Sequence, residues 1–106
     1  MRRVLLDECC PSPLGRDLKG VKVLTVDALG WKGRKNGLLV QSAEGVCDVL
    51  ITADQSLRYQ QNLSGRRLAI IELPFNSWPL LRTMIDVIQA AVDAIGPGEY
   101  MRLSSP

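Results

Sequence analysis

Short apolar stretches that end in polar turns recur along the chain and predict β-strands. Residues 4–6 and 49–51 are continuously apolar, which is typical of strands buried on both faces of a parallel sheet. Residues 67–73 form another apolar stretch, which ends at Pro74. Residues 21–26 alternate between apolar and polar, as in a half-exposed strand, and residues 99–103 can form a last strand at an edge.

The clearest helical pattern begins at Ser77 and Pro79 and ends at the Gly-Pro-Gly of residues 96–98. Its apolar stripe consists of Leu81, Met84, Ile85, Ile88, Val92 and Ile95, and its polar stripe of Arg82, Asp86, Gln89 and Asp93. Shorter helices are predicted at residues 14–18, 36–45 and 57–63.

Strands and helices therefore alternate along the 106 residues, with short connections between them. This order is typical of a three-layer α/β/α sandwich with a mainly parallel central sheet and right-handed crossovers. The length corresponds to a single domain. We expect one α/β domain over residues 1–106.

Composition narrows the classes of protein. A hydrophobic content of 46% with 23% charged residues indicates an ordered globular chain. No stretch approaches the ~18 apolar residues that a membrane span needs, and residues 1–8 lack the apolar segment of a signal peptide. We therefore expect a cytoplasmic protein without membrane contact.

The available side chains also narrow the chemistry. Histidine is absent, which excludes Ser-His-Asp and Cys-His catalysis and leaves carboxylates as the candidate catalytic groups. The three cysteines are Cys9, Cys10 and Cys47, an odd number without the spacing of a disulfide framework or a zinc site. We interpret them as reduced thiols.

Carboxylates follow two of the buried strands. Asp7 and Glu8 come directly after the first apolar stretch, and Asp54 follows residues 49–51. Because parallel strands end at the same edge of a sheet, Asp7 and Asp54 face each other if their strands are neighbours. Two close carboxylates repel unless a cation lies between them, so the pair suggests a divalent metal, and Mg²⁺ fits best. A role for such an acid as a helix N-cap stays open.

A basic loop is predicted at the same edge of the sheet. It carries Trp31, Lys32, Arg34 and Lys35, whereas Arg2, Arg3, Arg66 and Arg67 precede strands and belong at the opposite edge. The net charge of +2 is too small to indicate nucleic-acid binding by itself, so only the placement of the charged residues can indicate it. Cations and an aromatic ring beside a metal site suit a single-stranded nucleic acid. A solvated loop with a core tryptophan is the alternative.

Three motifs in order carry a resemblance to a known family. They are LLDE at residues 5–8, GWKGRKNGLL at residues 30–39 and DVLITADQSLRYQQNL at residues 48–63. In sequence and spacing they resemble the small PIN-like proteins of the DUF5615 group, which are related to PIN-domain ribonucleases and toxin components. The resemblance covers residues 1–73, whereas the last helix and strand match only in kind.

The resemblance implies a Rossmann-like fold and an acidic cluster that binds Mg²⁺ or Mn²⁺ for cleavage of single-stranded RNA. Asp7 and Asp54 take two acidic positions of the family, Asn36 takes a position that is often acidic, and Glu8 is a third catalytic candidate. Gln55 and Tyr59 complete the predicted substrate contacts. The implied function is a metal-dependent ribonuclease. The toxin of a two-gene module with an antitoxin partner is one form that this function takes in the family, and a homodimer stays open.

Two other interpretations remain at this point. Leu38 stands where the resemblance leads us to expect Glu, which favours a catalytically degenerate PIN-like module that binds RNA or a partner protein. A receiver-like phospho-acceptor domain also has an acidic pair after its first strand and an Asp after its third. Residues 99–106 lack the lysine that such a domain carries after its last strand, so this interpretation is the weakest.

Overall fold

Five parallel strands form one sheet in the order β2-β1-β3-β4-β5. They are β1 (Arg2–Leu6), β2 (Val21–Thr25), β3 (Val49–Thr52), β4 (Ala69–Glu72) and β5 (Tyr100–Arg102). The computed structural model describes residues 1–34, 36–57 and 65–105. The predicted α/β class with a parallel sheet is confirmed, and β5 lies at an edge as expected.

The two apolar stretches that precede the acids form adjacent strands. β1 pairs with β3 in parallel, with Leu6 opposite Ile51, so the predicted neighbourhood of these strands is confirmed. Val4, Leu5, Leu50 and Ile51 are fully buried, as their continuous apolar pattern predicts. Asp7 and Asp54 therefore come after the carboxyl ends of two neighbouring strands, at the same edge of the sheet.

Helices cover both faces of the sheet. On one face, α1 (Pro13–Asp17), α3 (Trp78–Leu81) and α4 (Ile85–Ala94) pack against β1, β3 and β4. On the other face, α2 (Asn36–Ala43) and Leu57 pack against side chains of the same strands. The described residues thus form three layers, and of the predicted helix at residues 57–63 only Leu57 lies within them.

The predicted long helix is divided. A short 3₁₀ helix (Arg82–Met84) separates α3 from α4. The hydroxyl of Thr83 donates a hydrogen bond of 2.7 Å to the carbonyl of Leu80, and such a bond competes with the regular backbone pattern. The predicted apolar stripe nevertheless faces the core: Leu81, Met84, Ile88, Val92 and Ile95 are buried, and Ile85 is partly buried against them.

α1 lies unusually close to the sheet at Gly15. A Cβ atom added to this glycine would lie 2.9 Å from Val23 Cγ1, so only glycine fits without movement of β2. After α1, Gly20 adopts a φ of +71°, a conformation that favours glycine, and the chain turns into β2. Among the described helices, none is long and apolar enough to cross a membrane.

Candidate functional site

A row of polar side chains closes the carboxyl edge of the sheet. Thr52, Glu72 and Arg102 are opposite one another in the register of β3, β4 and β5. The backbone N–H of Asp7 donates to the carbonyl of Ile51, the residue before Thr52. The residues one position earlier in the three inner strands are buried and apolar. The sheet therefore changes from an apolar core to a polar surface within one residue.

Thr52 links the two predicted metal ligands. Its side chain is fully buried, and its Oγ1 donates to Asp7 Oδ2 over 2.8 Å. The same oxygen accepts the backbone N–H of Asp54 over 3.0 Å. One hydroxyl therefore positions both the Asp7 carboxylate and the main chain of Asp54.

Each of these carboxylates also bonds locally. Asp7 Oδ1 accepts the backbone N–H of Glu8 over 2.8 Å, and Asp54 Oδ1 accepts the N–H and the hydroxyl of Ser56 over 2.9 and 2.7 Å. Asp54 thus stabilises the turn that follows β3, which is the capping role that the sequence left open. A carboxylate oxygen can accept two bonds, so Asp7 Oδ1 retains a lone pair among the described contacts.

Glu8 turns away from Thr52 toward the basic loop. Its Oε1 accepts the backbone N–H of Gly33 over 2.8 Å. Gly33 has a φ of +84°, which allows the chain to turn and present this N–H. Glu8 therefore anchors the loop that carries Lys32.

A polar cavity of about 350 Å³ lies between β1, β2 and this loop. Asp7, Glu8 and Lys32 line it, as does Asp27, an acid that the sequence analysis did not select. Asp54 is not among its lining residues. The structure therefore brings three predicted site residues to one cavity and places Asp54 beside it through Thr52.

The other described substrate candidates contact the protein itself. Trp31 is partly buried against the apolar cluster beneath α2, and the Arg34 guanidinium lies 4.8 Å from the centre of its ring. Arg34 also donates to Ser42 Oγ over 2.6 Å, and Gln55 Nε2 donates to the Pro74 carbonyl over 2.7 Å. Lys35, Tyr59 and the side chain of Asn36 lie outside the described residues.

Two thiols adjoin the acids, and the sequence analysis did not assign them to the site. Cys9 Sγ lies 3.6 Å from Asp7 Oδ2 and accepts the backbone N–H of Ala53 over 3.4 Å. A hydrogen bond from Cys10 and the Ala53 N–H lower the pKa of Cys9 to about 7. Burial and the negative charge of Asp7 raise this pKa, but their effect is smaller. The pKa of Cys10 is raised well above its usual value by its bond to Cys9 and by burial. All three cysteines are free, as predicted.

A further buried acid closes β4. Glu72 is 2% exposed, and its two oxygens accept the Tyr100 hydroxyl over 2.6 Å and Arg102 Nε over 2.9 Å. The single acid in an apolar stretch was a signal in the sequence that we did not use. Both oxygens have protein donors, so the contacts of Glu72 are those of a structural ion pair.

Carboxylate oxygens are the groups at this edge that could bind a divalent metal ion. Among residues 1–34, 36–57 and 65–105, no group of three or more His, Cys, Asp and Glu side chains could hold a metal. Asp7 and Asp54 supply hard oxygen donors, and Mg²⁺ uses only one or two carboxylates when substrate phosphate and water complete its shell. Asp7 and Asp54 are therefore candidate oxygen donors at the ends of adjacent strands.

Comparison of the chain with protein-family models, with curated proteins and with solved structures finds no match. The site is consequently interpreted from its own residues. Its chemical groups are the Asp7 and Asp54 carboxylates at adjacent strand ends, the Thr52 hydroxyl between Asp7 and the Asp54 backbone, and Lys32.

Proposed function

We propose that this protein is a PIN-like ribonuclease that depends on Mg²⁺ or Mn²⁺. The observation that supports the proposal best is the Thr52 hydroxyl, which bonds the Asp7 carboxylate and the Asp54 backbone at adjacent strand ends. The buried hydroxyl donates to the Asp7 carboxylate and accepts the Asp54 N–H, so it restricts the movement of both residues. Such preorganisation is what a site of only two carboxylates needs.

Asp7 and Asp54 would hold the cation. When bound, the ion would supply Lewis-acid stabilisation of the charge that develops on the phosphate oxygens. Thr52 keeps the Asp7 carboxylate in place, and Glu8 holds the loop so that Lys32 faces the cavity. Lys32 would bind a phosphate group of the substrate beside the acids.

Single-stranded RNA is the proposed substrate. Lys32, which lines the cavity at the carboxyl edge, is exposed to solvent. In the same cavity, Asp7 accepts the backbone N–H of Glu8, and Glu8 accepts that of Gly33. A strand of RNA has a flexible backbone whose phosphates can reach such a site one at a time. As a toxin, the enzyme would be paired with an antitoxin protein, which a small neighbouring gene would encode.

A second candidate function is a degenerate PIN-like module that binds RNA or a partner protein. Leu38 favours it, because this large apolar residue of α2 is 52% exposed. An apolar side chain on the surface suits a contact with a partner better than coordination of a metal. In this case the acids would only stabilise the turns after β1 and β3.

The deciding experiment measures cleavage of a fluorescent single-stranded RNA with Mg²⁺, with Mn²⁺ and with chelator. The proposal expects cleavage that needs the metal and that Asp7→Asn abolishes. Asp86→Asn is the matched control, because Asp86 is an exposed acid on α4 that does not line the cavity beside Asp7. Cleavage that survives chelator, or RNA binding without any cleavage, would favour the second function.

A further inference from the structure

A larger cavity lies at the opposite, amino edge of the sheet. Its volume is about 560 Å³, and its lining includes the arginines Arg2, Arg3 and Arg67, the exposed Pro97, and Leu68 and Ala69, which are buried. Small-molecule sites have volumes of about 300–1,000 Å³ and combine apolar walls with a few polar groups. The proposed nuclease does not use this edge, so the cavity needs its own explanation.

The two acids of this cavity are occupied by bonds within the protein. Glu44 accepts the backbone N–H groups of Arg67 and Leu68 over 2.9 and 3.0 Å, one on each oxygen. Asp48 accepts the backbone N–H of Arg3 over 2.8 Å and its guanidinium over 3.4 Å. The acids therefore hold the amino ends of β1 and β4 in place.

The guanidinium groups, by contrast, keep most of their donors. Arg2 donates one N–H to the carbonyl of Ile95, and Arg3 donates one to Asp48. The Arg67 side chain makes no hydrogen bond or ion pair with any described residue, and it is exposed. Each guanidinium has five N–H donors, so the cavity has more positively charged donors than the described residues satisfy.

We propose that this cavity binds a small phosphomonoester. A phosphomonoester carries a charge of about −1.5 to −2 and three terminal oxygens, which suits a cavity lined by three arginines better than a single carboxylate does. The cavity is larger than a phosphate group alone requires, so the organic part of the ligand can occupy the remaining volume beside Pro97. Arg67 is the main anchor, because its donors are uncommitted.

The test is calorimetric titration of the full chain with adenosine 5′-monophosphate, with adenosine and with inorganic phosphate, at low salt. We expect adenosine 5′-monophosphate to bind, and adenosine without phosphate to bind at least about tenfold more weakly, because charge-assisted bonds are lost. Arg67→Ala should weaken binding by a similar factor, and Arg67→Lys by less. Arg16→Ala is the matched control, because Arg16 is an exposed arginine on α1 that does not line the cavity.

Equal affinity for adenosine and its monophosphate would overturn the proposal, as would unchanged affinity in Arg67→Ala with the wild-type melting temperature. Binding that is confined to long RNA, with none for the monophosphate, would show a polyanion surface instead and would also overturn it. Asp7→Asn should leave this binding unchanged. The outcome is therefore independent of whether the carboxyl edge cleaves RNA.

Discussion

Thr52 Oγ1 donates a hydrogen bond of 2.8 Å to Asp7 Oδ2, across the ends of two adjacent strands. The two residues are 45 positions apart in the chain, so the bond depends on the sheet. Because Thr52 is fully buried, its hydroxyl has no solvent alternative. The bond makes the Asp7 carboxylate part of the rigid sheet rather than of a mobile turn.

Replacing Thr52 should therefore affect stability as well as the site. Thr52→Val keeps the shape but removes the hydrogen bond that the hydroxyl donates to Asp7 Oδ2 and the one that it accepts from the Asp54 N–H. We expect a loss of about 1–3 kcal/mol in the free energy of unfolding, measured by urea denaturation. RNA cleavage should fall with it, and Thr52→Ser should restore part of both. Ser104→Ala is the control, because Ser104 is exposed and its loss should change stability by less than about 0.5 kcal/mol. Equal losses from the two changes would contradict the role of Thr52.

Asp7 and Asp54 should act as one unit. If they hold the same ion, Asp7→Asn or Asp54→Asn should each abolish cleavage, and the double change should cost about as much as either single change. The measurement is initial cleavage rate against metal concentration for the three variants. Residual cleavage in Asp54→Asn would mean that Asp54 only stabilises the turn that it forms with Ser56. The same would follow if the loss in the double variant equalled the product of the two single losses.

Binding of single-stranded RNA should depend on salt through the basic loop. Each phosphate contact of a single strand contributes about 0.7 to the slope of log affinity against log salt. Lys32→Ala should reduce the slope by about that amount, since Lys32 is exposed and lines the cavity beside Asp7. Arg34 and Lys35 are the other predicted contacts, although Arg34 stacks on Trp31 and should contribute less. Fluorescence anisotropy at several salt concentrations measures the slope, with Lys22→Ala as the control on the exposed side of β2.

Cys9 should be the first thiol to react with iodoacetamide near neutral pH. Because its pKa is lowered to about 7, half of it is thiolate at pH 7, compared with about 1% of a thiol of pKa 9.0. The weaker nucleophilicity of a low-pKa thiolate reduces this advantage to roughly fivefold. The rate should fall as the pH decreases below 7 and become level above about 8.

Peptide mass spectrometry of the alkylated, metal-free protein separates the three cysteines. Cys47 should react slowly, because burial raises its pKa to about 11. Cys10 should also react slowly, since its pKa is raised well above the usual value. Faster labelling of Cys47 than of Cys9 would contradict the contacts of Cys9 at this site.

The sequence by itself determined the strands, the main helical stripe and the edge at which the acids lie. These features depend on local patterns, because a continuously apolar stretch must be buried on both faces and an amphipathic stripe must face the core. The order of strands and helices then implies a parallel sheet, in which every strand ends at the same edge. Asp7, Asp54 and Lys32 could be placed at the carboxyl edge for this reason alone.

The tertiary structure decided which side chains touch. Thr52 reaches Asp7, Glu8 bonds to Gly33, and Glu72 pairs with Arg102, and none of these contacts follows from spacing in the chain. Each depends on the register between strands and on the direction in which a side chain leaves the backbone, which a shift of one residue would reverse. The short 3₁₀ helix that divides the long helix at residues 82–84 was likewise not evident from the amphipathic pattern. Local patterns determine which elements form, whereas contacts between distant residues determine which chemistry their ends can perform.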